Sequence, residues 1–202
     1  MEKSAVYAFL GGTFNPIHNG HISIAIKAHE QFNIDKIVVM PSFMQAYKNN
    51  NSSVSANDRC NMVSLAIKDY DYMELSRMEI DRQGYTYTAD TLEALQEQYE
   101  TIYFLIGADS LFSLDSWRKP EYICSHCHLL VANRDNASTE ELNRAKDNLV
   151  NKYNAKIDFI NGVDIPISSS KLREMIKNHE DISDYVSKDV KQYIEDNKLY
   201  LE

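Results

Sequence analysis

Residues 11–21, written GGTFNPIHNGH, constrain the fold more than any other part of the chain. The apolar run at residues 5–10 precedes this stretch, and the largely apolar segment 22–26 follows it. The first run is typical of a buried parallel strand, and the second predicts the opening turns of a helix. A strand, a glycine-rich turn and a helix in this order indicate an α/β protein.

The turn itself predicts a phosphate-binding site. Gly11 and Gly12 let backbone amides approach a ligand closely, because neither residue carries a Cβ. The helix start beyond them supplies unpaired N–H groups and the positive end of a helix dipole. His18 and His21 are three residues apart, so their rings can face one ligand. Taken singly, each histidine is explained as well by a structural role, as a helix cap or a surface residue, as by binding a ligand.

Length and charge limit the class of protein. The 202 residues are expected to form one domain, spanning 1–202. The formal net charge of −9 argues against general affinity for nucleic acid or an anionic membrane surface. No apolar run approaches the roughly 20 residues that span a bilayer, and residues 1–4 do not resemble a secretory signal. The expected compartment is therefore the cytoplasm, and a phosphate-rich substrate needs a local positive site aided by Mg²⁺.

The cysteines are expected to be packing residues. Cys124 and Cys127 lie in the sequence CSHCH, which matches the attachment pattern of c-type haem. Haem attachment requires export, which nothing here indicates, and a zinc site requires further well-placed ligands. The apolar run 129–132 follows directly, and small thiols pack easily beside such a run. A metal or redox role is the minor alternative.

The first half of the chain predicts a parallel unit with its crevice at the carboxyl ends of the strands. A helix over 20–32 and a strand over 36–41 follow the opening strand, which implies a right-handed crossover. The polar stretch 42–54 reads as a loop, in which Lys48 is either solvated or bound to phosphate. We then expect a helix over 55–69 with Ser55 as its N-cap, and a strand over 72–80.

The middle of the chain offers candidates for binding a nucleotide. Thr86 or Thr88 is expected to cap a helix, and Tyr87 with Thr88 either edges the core or lines a pocket for a planar ring. The strand 101–106 ends at Gly107, and Asp109 suits either a ribose hydroxyl or a helix cap. Trp117 lies beside basic residues, where a tryptophan either belongs to the core or stacks on a ligand ring.

A second motif comes late in the chain. A strand over 128–133 closed by Arg134, a helix over 138–153 and a strand over 156–160 precede it. Ser168, Ser169 and Ser170 then stand before a helix that carries Arg173 in its first turns. The serines are explained either as helix caps or, with Arg173, as a second phosphate grip. Residues 184–194 predict an amphipathic helix pair packed against the sheet.

Together these motifs resemble those of bacterial nicotinate-nucleotide adenylyltransferases, within the nucleotidylyltransferase superfamily. The resemblance extends over the whole chain. It implies a Rossmann-like, doubly wound α/β fold: a mainly parallel sheet with helices on both faces and a C-terminal helical segment. It also implies a reaction of ATP with nicotinate mononucleotide that yields deamido-NAD and pyrophosphate, with Mg²⁺ accompanying ATP. The matching residues are Gly11, Gly12, Thr13, Phe14, Pro16, His18, Gly20, His21, Tyr87, Thr88, Asp90, Thr91, Gly107, Asp109, Trp117, Ser168, Ser169, Ser170 and Arg173. The closing residues Tyr185, Val186, Tyr193, Ile194, Leu199 and Tyr200 also fit the family pattern.

The resemblance assigns roles to these positions. His18, His21 and Arg173 are expected to stabilise charge on the reacting phosphates, and no resident metal site is implied. Residues expected to bind ATP are Gly11, Gly12, Thr13, Phe14, Gly20, Gly107, Asp109, Ser168, Ser169 and Ser170. Residues expected to bind the mononucleotide are Lys48, Tyr87, Thr88, Trp117 and Arg134, with Trp117 stacking on the pyridine ring.

Three positions depart from the usual family pattern. Asn15 stands where aspartate is usual, Tyr47 replaces a loop histidine, and Ser170 replaces a common threonine. Two alternatives stay open: a phosphopantetheine adenylyltransferase, whose family generally has threonine at the place of His18 and a shorter chain, and a nucleotide-binding regulator without catalysis. The sequence leaves open the choice of acid or amide mononucleotide and the oligomeric state, a homo-oligomer included.

Overall fold

The structure, a computed structural model, describes residues 5–46, 54–133, 137–163 and 167–201. The strands are β1 (Tyr7–Gly12), β2 (Lys36–Pro41), β3 (Met44–Gln45), β4 (Met73–Leu75), β5 (Tyr85–Thr86), β6 (Ile102–Gly107), β7 (His128–Ala132) and β8 (Lys156–Ile160). The helices are α1 (Asn19–Phe32), α2 (Ala56–Ile67), α3 (Met78–Arg82), α4 (Thr88–Gln96), α5 (Ala108–Ser113), α6 (Pro120–His126), α7 (Thr139–Tyr153), α8 (Ser169–Lys177) and α9 (Lys188–Asp196). A 3-10 turn, Leu114–Ser116, follows α5. Within the described ranges, no helix is long and apolar enough to cross a membrane.

The main sheet confirms the predicted doubly wound architecture. Six parallel strands lie in the order β4-β2-β1-β6-β7-β8, and β3 pairs with β5 in a separate two-stranded ladder. The winding reverses between β1 and β6, so the segments after these two strands flank one crevice at the carboxyl edge of the sheet. Those segments are the turn that leads to α1 and the start of α5.

Helices cover both faces of the sheet because the strand residues alternate. Ala8 and Leu10 of β1 join a core with residues of α1, α2, α8 and α9, whereas Phe9 joins a second core with α4, α5, α6 and α7. Successive side chains of a strand point to opposite faces, so each strand contributes to both layers. The central strands are buried on both sides, as their near-continuous apolar sequences predicted.

Serine caps begin several helices at the predicted places. Ser55, Ser138 and Ser168 each accept a backbone N–H from three residues further on, and Asp58 and Glu141 complete capping boxes in α2 and α7. Each cap of this kind contributes about 1 kcal/mol. The predicted helix starts at these positions are therefore confirmed.

The predicted strand over 72–80 is largely wrong. Only Met73–Leu75 pairs with β2, and the chain then turns into the short helix α3. The alternation of Met78 and Ile80 indicated a strand, but the residue between them, Glu79, is buried. A helix places neighbouring residues Glu79 and Ile80 together in the interior, which a half-buried strand would not do.

Three further expectations about helices need correction. Neither Thr86 nor Thr88 caps α4, because Tyr87 occupies the N-cap position and makes no side-chain cap bond. Asp109 does not cap α5, which begins after Gly107. The predicted C-terminal helix pair is, in the described part of the chain, the single helix α9.

Candidate active site

The turn after β1 is shaped by aromatic rings that press against its glycines. A Cβ on Gly12 would lie 3.0 Å from Cζ of Phe14, and one on Gly11 would lie 3.3 Å from Cζ of Phe104. Phe14 is buried and has a positive φ of 48°. The paired glycines therefore have a packing role: Gly12 leaves room for the Phe14 ring, and Gly11 leaves room for the Phe104 ring.

The two histidines form a stacked pair at the start of α1. Their ring centroids are 3.7 Å apart, and the backbone N–H of His18 donates to Nδ1 of His21 at 3.3 Å. His18, the N-cap residue, is only 2% exposed, whereas His21 is half-buried. Since Nδ1 of His21 accepts a hydrogen bond, the ring proton of the neutral imidazole lies on Nε2. His21 thus presents an N–H donor, supported by His18 on one face and by the edge contact with Phe14.

The predicted supply of unpaired N–H groups at the start of α1 is wrong for two residues. The Asn19 amide donates to the Tyr185 carbonyl at 2.7 Å, and the His21 amide donates to the His18 carbonyl at 2.8 Å. The side chain of Asn19 also donates to the Asp184 carbonyl. These two helix amides are therefore already paired within the protein.

The second motif lies directly against the first. Arg173 donates from Nη1 to the Asn15 carbonyl at 2.8 Å and from Nη2 to Oγ of Ser170 at 3.1 Å. Ser169 donates from Oγ to the Pro16 carbonyl at 2.9 Å. Segments more than 150 residues apart in sequence are thus joined at one turn. Ser168 caps α8, so that serine has the structural role that the sequence allowed.

Arg59 also holds the turn, and the sequence interpretation missed it. Its guanidinium is buried and donates to the carbonyls of Thr13 at 2.6 Å and Phe43 at 3.2 Å. Burial lowers the pKa of Arg59 from its ordinary value, which is high enough to leave the group charged. A signal was available: Arg59 shares a helix face with the buried Met62 and Val63, where an unpaired charge would be costly.

The opposite wall of the crevice comes from β6 and α5. Gly107 is the N-cap residue of α5, and a Cβ there would meet no atom of the described residues within 4 Å. Asp109 is exposed in the first turn of the same helix. Gly107 therefore borders open space at the carboxyl edge of the sheet. A ligand could pack against the backbone at this position.

A third group of predicted residues meets around Arg118. The Arg118 guanidinium lies 4.8 Å from the ring centroid of Tyr87 and donates to Asp90 at 3.2 Å. Arg118 directly follows Trp117, which is half-buried and donates from Nε1 to Ser113. Thr88, the first residue of α4, follows Tyr87. The structure thus brings the helix start at 87–88 close to the segment that carries the tryptophan.

The two-stranded pairing of β3 with β5 connects the residues around Arg118 to the turn after β1. Met44 and Gln45 of β3 pair with Tyr85 and Thr86 of β5, just before Tyr87. The segment that contains β3 follows β2, and its Ser42 amide donates to the Gly12 carbonyl at 2.8 Å. Lys48 and Arg134, predicted to bind the mononucleotide, lie outside the described residues.

The donors at the turn suit an anion better than a resident metal ion. In the part of the chain that the structure covers, no group of three or more His, Cys, Asp or Glu side chains is arranged to hold a metal. The turn offers imidazole, guanidinium and hydroxyl donors, which match phosphate oxygens. The turn is therefore suited to hold a phosphate group.

The two cysteines of the CSHCH segment are buried by packing. Cys124 lies in α6 and Cys127 directly follows it, and both belong to the core on that face of the sheet. Burial raises the pKa of Cys124 to about 11 and raises that of Cys127 as well. Cys127 donates to the Ile123 carbonyl of the same helix. These environments confirm the packing interpretation and disfavour a reactive thiolate.

Comparison with known proteins identifies the family. The cytidylyltransferase-like family matches residues 9–175, which include both the turn after β1 and the start of α8. A protein of Lachnoclostridium phytofermentans named "probable nicotinate-nucleotide adenylyltransferase" is 37% identical over 95% of this chain and 97% of its own length. A protein of the same name from Clostridium botulinum (strain Alaska E43) is 36% identical over 97% of this chain and 98% of its own.

Solved structures agree on the fold. The Plasmodium falciparum nicotinic acid mononucleotide adenylyltransferase complexed with NaAD superposes with a TM-score of 0.78 at 23% identity, covering 97% of each chain. A putative nicotinate-nucleotide adenylyltransferase from Vibrio parahaemolyticus gives a TM-score of 0.68, covering 98% of this chain and 96% of its own. With the close relatives matched along nearly their whole length, the chain belongs to the nicotinate-nucleotide adenylyltransferase family.

Proposed function

We propose that the protein joins nicotinate mononucleotide to the AMP part of ATP, releasing pyrophosphate and forming deamido-NAD. The observation that carries the proposal is the direct contact between the two motifs, Arg173 to Asn15 and Ser169 to Pro16. This contact places a guanidinium and the N–H donor of His21 around one turn at the topological switch point, where α/β sheets of this order bind nucleotides. Residues 1–202 act as one nucleotidylyltransferase domain in this proposal.

The reaction needs no general base. The second pKa of a phosphate monoester is about 6, so the mononucleotide phosphate is already ionised near neutral pH. One of its oxygens forms a bond to the α-phosphorus of ATP, while the bond from that phosphorus to the bridging oxygen of the β-phosphate breaks. Pyrophosphate leaves with the electron pair of that bond. Catalysis then consists of in-line positioning and of neutralising the charge that develops.

The turn residues divide this task between them. His21 donates from Nε2 to an oxygen of the α-phosphate, and His18 holds the ring of His21 in place by stacking. Arg173 retains N–H donors beyond those bound to Asn15 and Ser170, and these grip the β- and γ-phosphates. Gly11, Gly12, Thr13, Phe14 and Gly20 shape the turn that surrounds the phosphates.

The substrates then lie on either side of the turn. Gly107 and Asp109 face adenosine, with the carboxylate accepting from a ribose hydroxyl. Trp117 stacks on the pyridine ring, Tyr87 and Thr88 lie near its carboxylate, and Lys48 and Arg134 contribute cations to the mononucleotide phosphate. Mg²⁺ would be bound with ATP, where it would supply positive charge to the phosphates of the leaving pyrophosphate.

A substrate panel tests this proposal. Pyrophosphate release is measured with ATP and, in parallel, nicotinate mononucleotide, its amide and phosphopantetheine. We expect the highest kcat/KM with nicotinate mononucleotide. Release with phosphopantetheine alone would point to the other adenylyltransferase, and release with none would point to a regulator.

The role of His21 is tested in the same assay. His21→Ala is expected to lower kcat about a hundredfold, because it removes a donor aimed at the reacting phosphate. His126→Ala is the matched control, since that exposed ring stacks on Tyr122 of α6, far along the chain from the turn. Near-normal turnover by His21→Ala with undiminished ATP affinity would refute the assigned role.

A further inference from the structure

Tyr200, close to the C-terminus, reaches the phosphate turn. Its hydroxyl donates to Oδ1 of Asn15 at 2.7 Å, although the two residues are 185 positions apart. Both side chains are buried, at 7% and 8% exposure. Burial raises the pKa of the Tyr200 phenol, while Arg173 and Arg59 act in the opposite direction, so the phenol stays a neutral donor.

The backbone carbonyls of the turn are held from several distant segments. The Thr13 carbonyl accepts from Arg59 of α2, the Asn15 carbonyl accepts from Arg173 of α8, and the Pro16 carbonyl accepts from Ser169. The C=O and N–H of a trans peptide point in opposite directions. Holding the Thr13 carbonyl therefore directs the next amide N–H away from Arg59 and fixes the path of the turn.

Asn15 is the place where the C-terminal segment joins this set of contacts. Arg173 holds its main chain and Tyr200 holds its side chain, so both halves of the residue are fixed. A second tyrosine of the same segment contacts a different element: Tyr193 of α9 donates to Asp58 at 2.9 Å and accepts from Asn61 at 2.8 Å, both in α2. Tyr200 has a φ of 66°, which lies in the left-handed region.

We propose that Tyr200 is a positioning residue for ATP, acting through Asn15 to hold the phosphate turn in its binding geometry. The proposal rests on the function proposed above. Tyr200 touches neither substrate in this scheme. It makes the C-terminal segment a working part of the phosphate site, with the hydroxyl as the essential atom.

The chain offers a matched pair of variants. Tyr200→Phe removes only the hydroxyl that reaches the turn, and Tyr193→Phe removes a hydroxyl from the same C-terminal segment that reaches α2 instead. Both variants lose buried or half-buried hydrogen bonds, so both lower the melting temperature. Only Tyr200→Phe is expected to raise KM and Kd for ATP, with about a tenfold loss of kcat/KM for ATP and an unchanged KM for the mononucleotide.

A double-mutant cycle tests whether the residues act as a pair. Asn15→Ala alone should reduce kcat/KM for ATP at least as much as Tyr200→Phe, and adding Tyr200→Phe to it should cause no further loss. Effects that multiply in the double variant would overturn the proposal. Equal ATP parameters for Tyr200→Phe and Tyr193→Phe would also overturn it, because the hydroxyl would then have only a structural role.

Direct ATP binding separates this inference from the proposed function. ATP affinity is measured by calorimetry for the wild-type protein and each variant, with no mononucleotide present. If the wild type binds ATP but releases no pyrophosphate with any mononucleotide, the proposed reaction fails while weaker ATP binding by Tyr200→Phe still supports the positioning role. If the wild type does not bind ATP, both proposals fail.

Discussion

The buried carboxyl of Glu79 leads to a testable prediction about how the free energy of unfolding depends on pH. Its carboxyl is 3% exposed and accepts from the Thr91 hydroxyl at 2.7 Å, and Arg82 donates to the same hydroxyl at 3.0 Å. Burial raises the pKa of Glu79 from 4.5 to about 7, against the opposing effects of the Thr91 hydrogen bond and the Arg82 charge. This network joins α3 to α4, the helix that begins at the predicted mononucleotide site.

The sign of the pH effect follows from the raised pKa. Below pH 4.5 the carboxyl is protonated in both the folded and the unfolded protein, so its burial carries no charge penalty. As the pH rises, the unfolded chain ionises first, and the folded protein ionises only near pH 7. A rise in pKa from 4.5 to about 7 corresponds to about 3 kcal/mol of unfolding free energy, present at low pH and lost above pH 7.

Glu79→Gln isolates this contribution. The amide oxygen can still accept from Thr91, and the variant has no carboxyl to ionise. Urea unfolding of both proteins from pH 4.5 to 8 should show the wild type losing about 3 kcal/mol relative to Glu79→Gln across that range. Glu93→Gln, which removes an exposed carboxylate on α4 paired with Lys119, controls for loss of a negative charge. A pH-independent difference between wild type and Glu79→Gln would refute the reasoning.

Two further predictions concern packing. Gly12→Ala would place a methyl group 3.0 Å from the Phe14 ring and push that ring from beneath the turn, so kcat/KM for ATP should fall about tenfold or more. Steady-state kinetics check this, and an unchanged kcat/KM would show that the ring can yield. Cys124 and Cys127 should resist Ellman's reagent at pH 8 in the native protein, whereas all three thiols of the chain should react in guanidinium chloride. Rapid labelling of the native protein at these two positions would contradict the packing role.

The sheet was predictable because its central strands bury both faces. Apolar runs identified these strands without knowledge of their partners, and β2 and β8 have the predicted bounds, Lys36–Pro41 and Lys156–Ile160. Serine caps were predictable for a similar reason, since a cap depends on residues within one turn of the helix. The Thr86 and Thr88 caps failed because α4 starts where Tyr87 packs beneath Arg118, a tertiary contact that local sequence does not encode.

The candidate site, like the fold, could be predicted from sequence only in part. The sequence predicted which residue types surround the turn, but it could not name the turn atoms that Arg59 and Tyr200 hold. Arg59 could be suspected from its place on a buried helix face, whereas nothing in the segment around Tyr200 indicates its contact. Their partners are 46 and 185 positions away, so only the folded chain reveals the contacts. The strand predicted through Glu79 failed because a buried carboxyl with a distant hydroxyl partner resembles an exposed position in sequence.

The contacts of Arg59 and Arg173 bear on how a chain with a net charge of −9 would bind the polyphosphate of the proposed reaction. Both guanidinium groups donate to main-chain carbonyls of the turn, at Thr13 and Asn15. Carbonyls are dipoles, so these bonds orient the cations without cancelling their charge. Asn15 accepts the hydrogen bond from Tyr200 and is neutral, so its side chain adds no negative charge beside these cations. Under the proposed function, the two guanidinium groups supply the local positive charge that a phosphate-rich substrate requires on a chain whose net charge is negative.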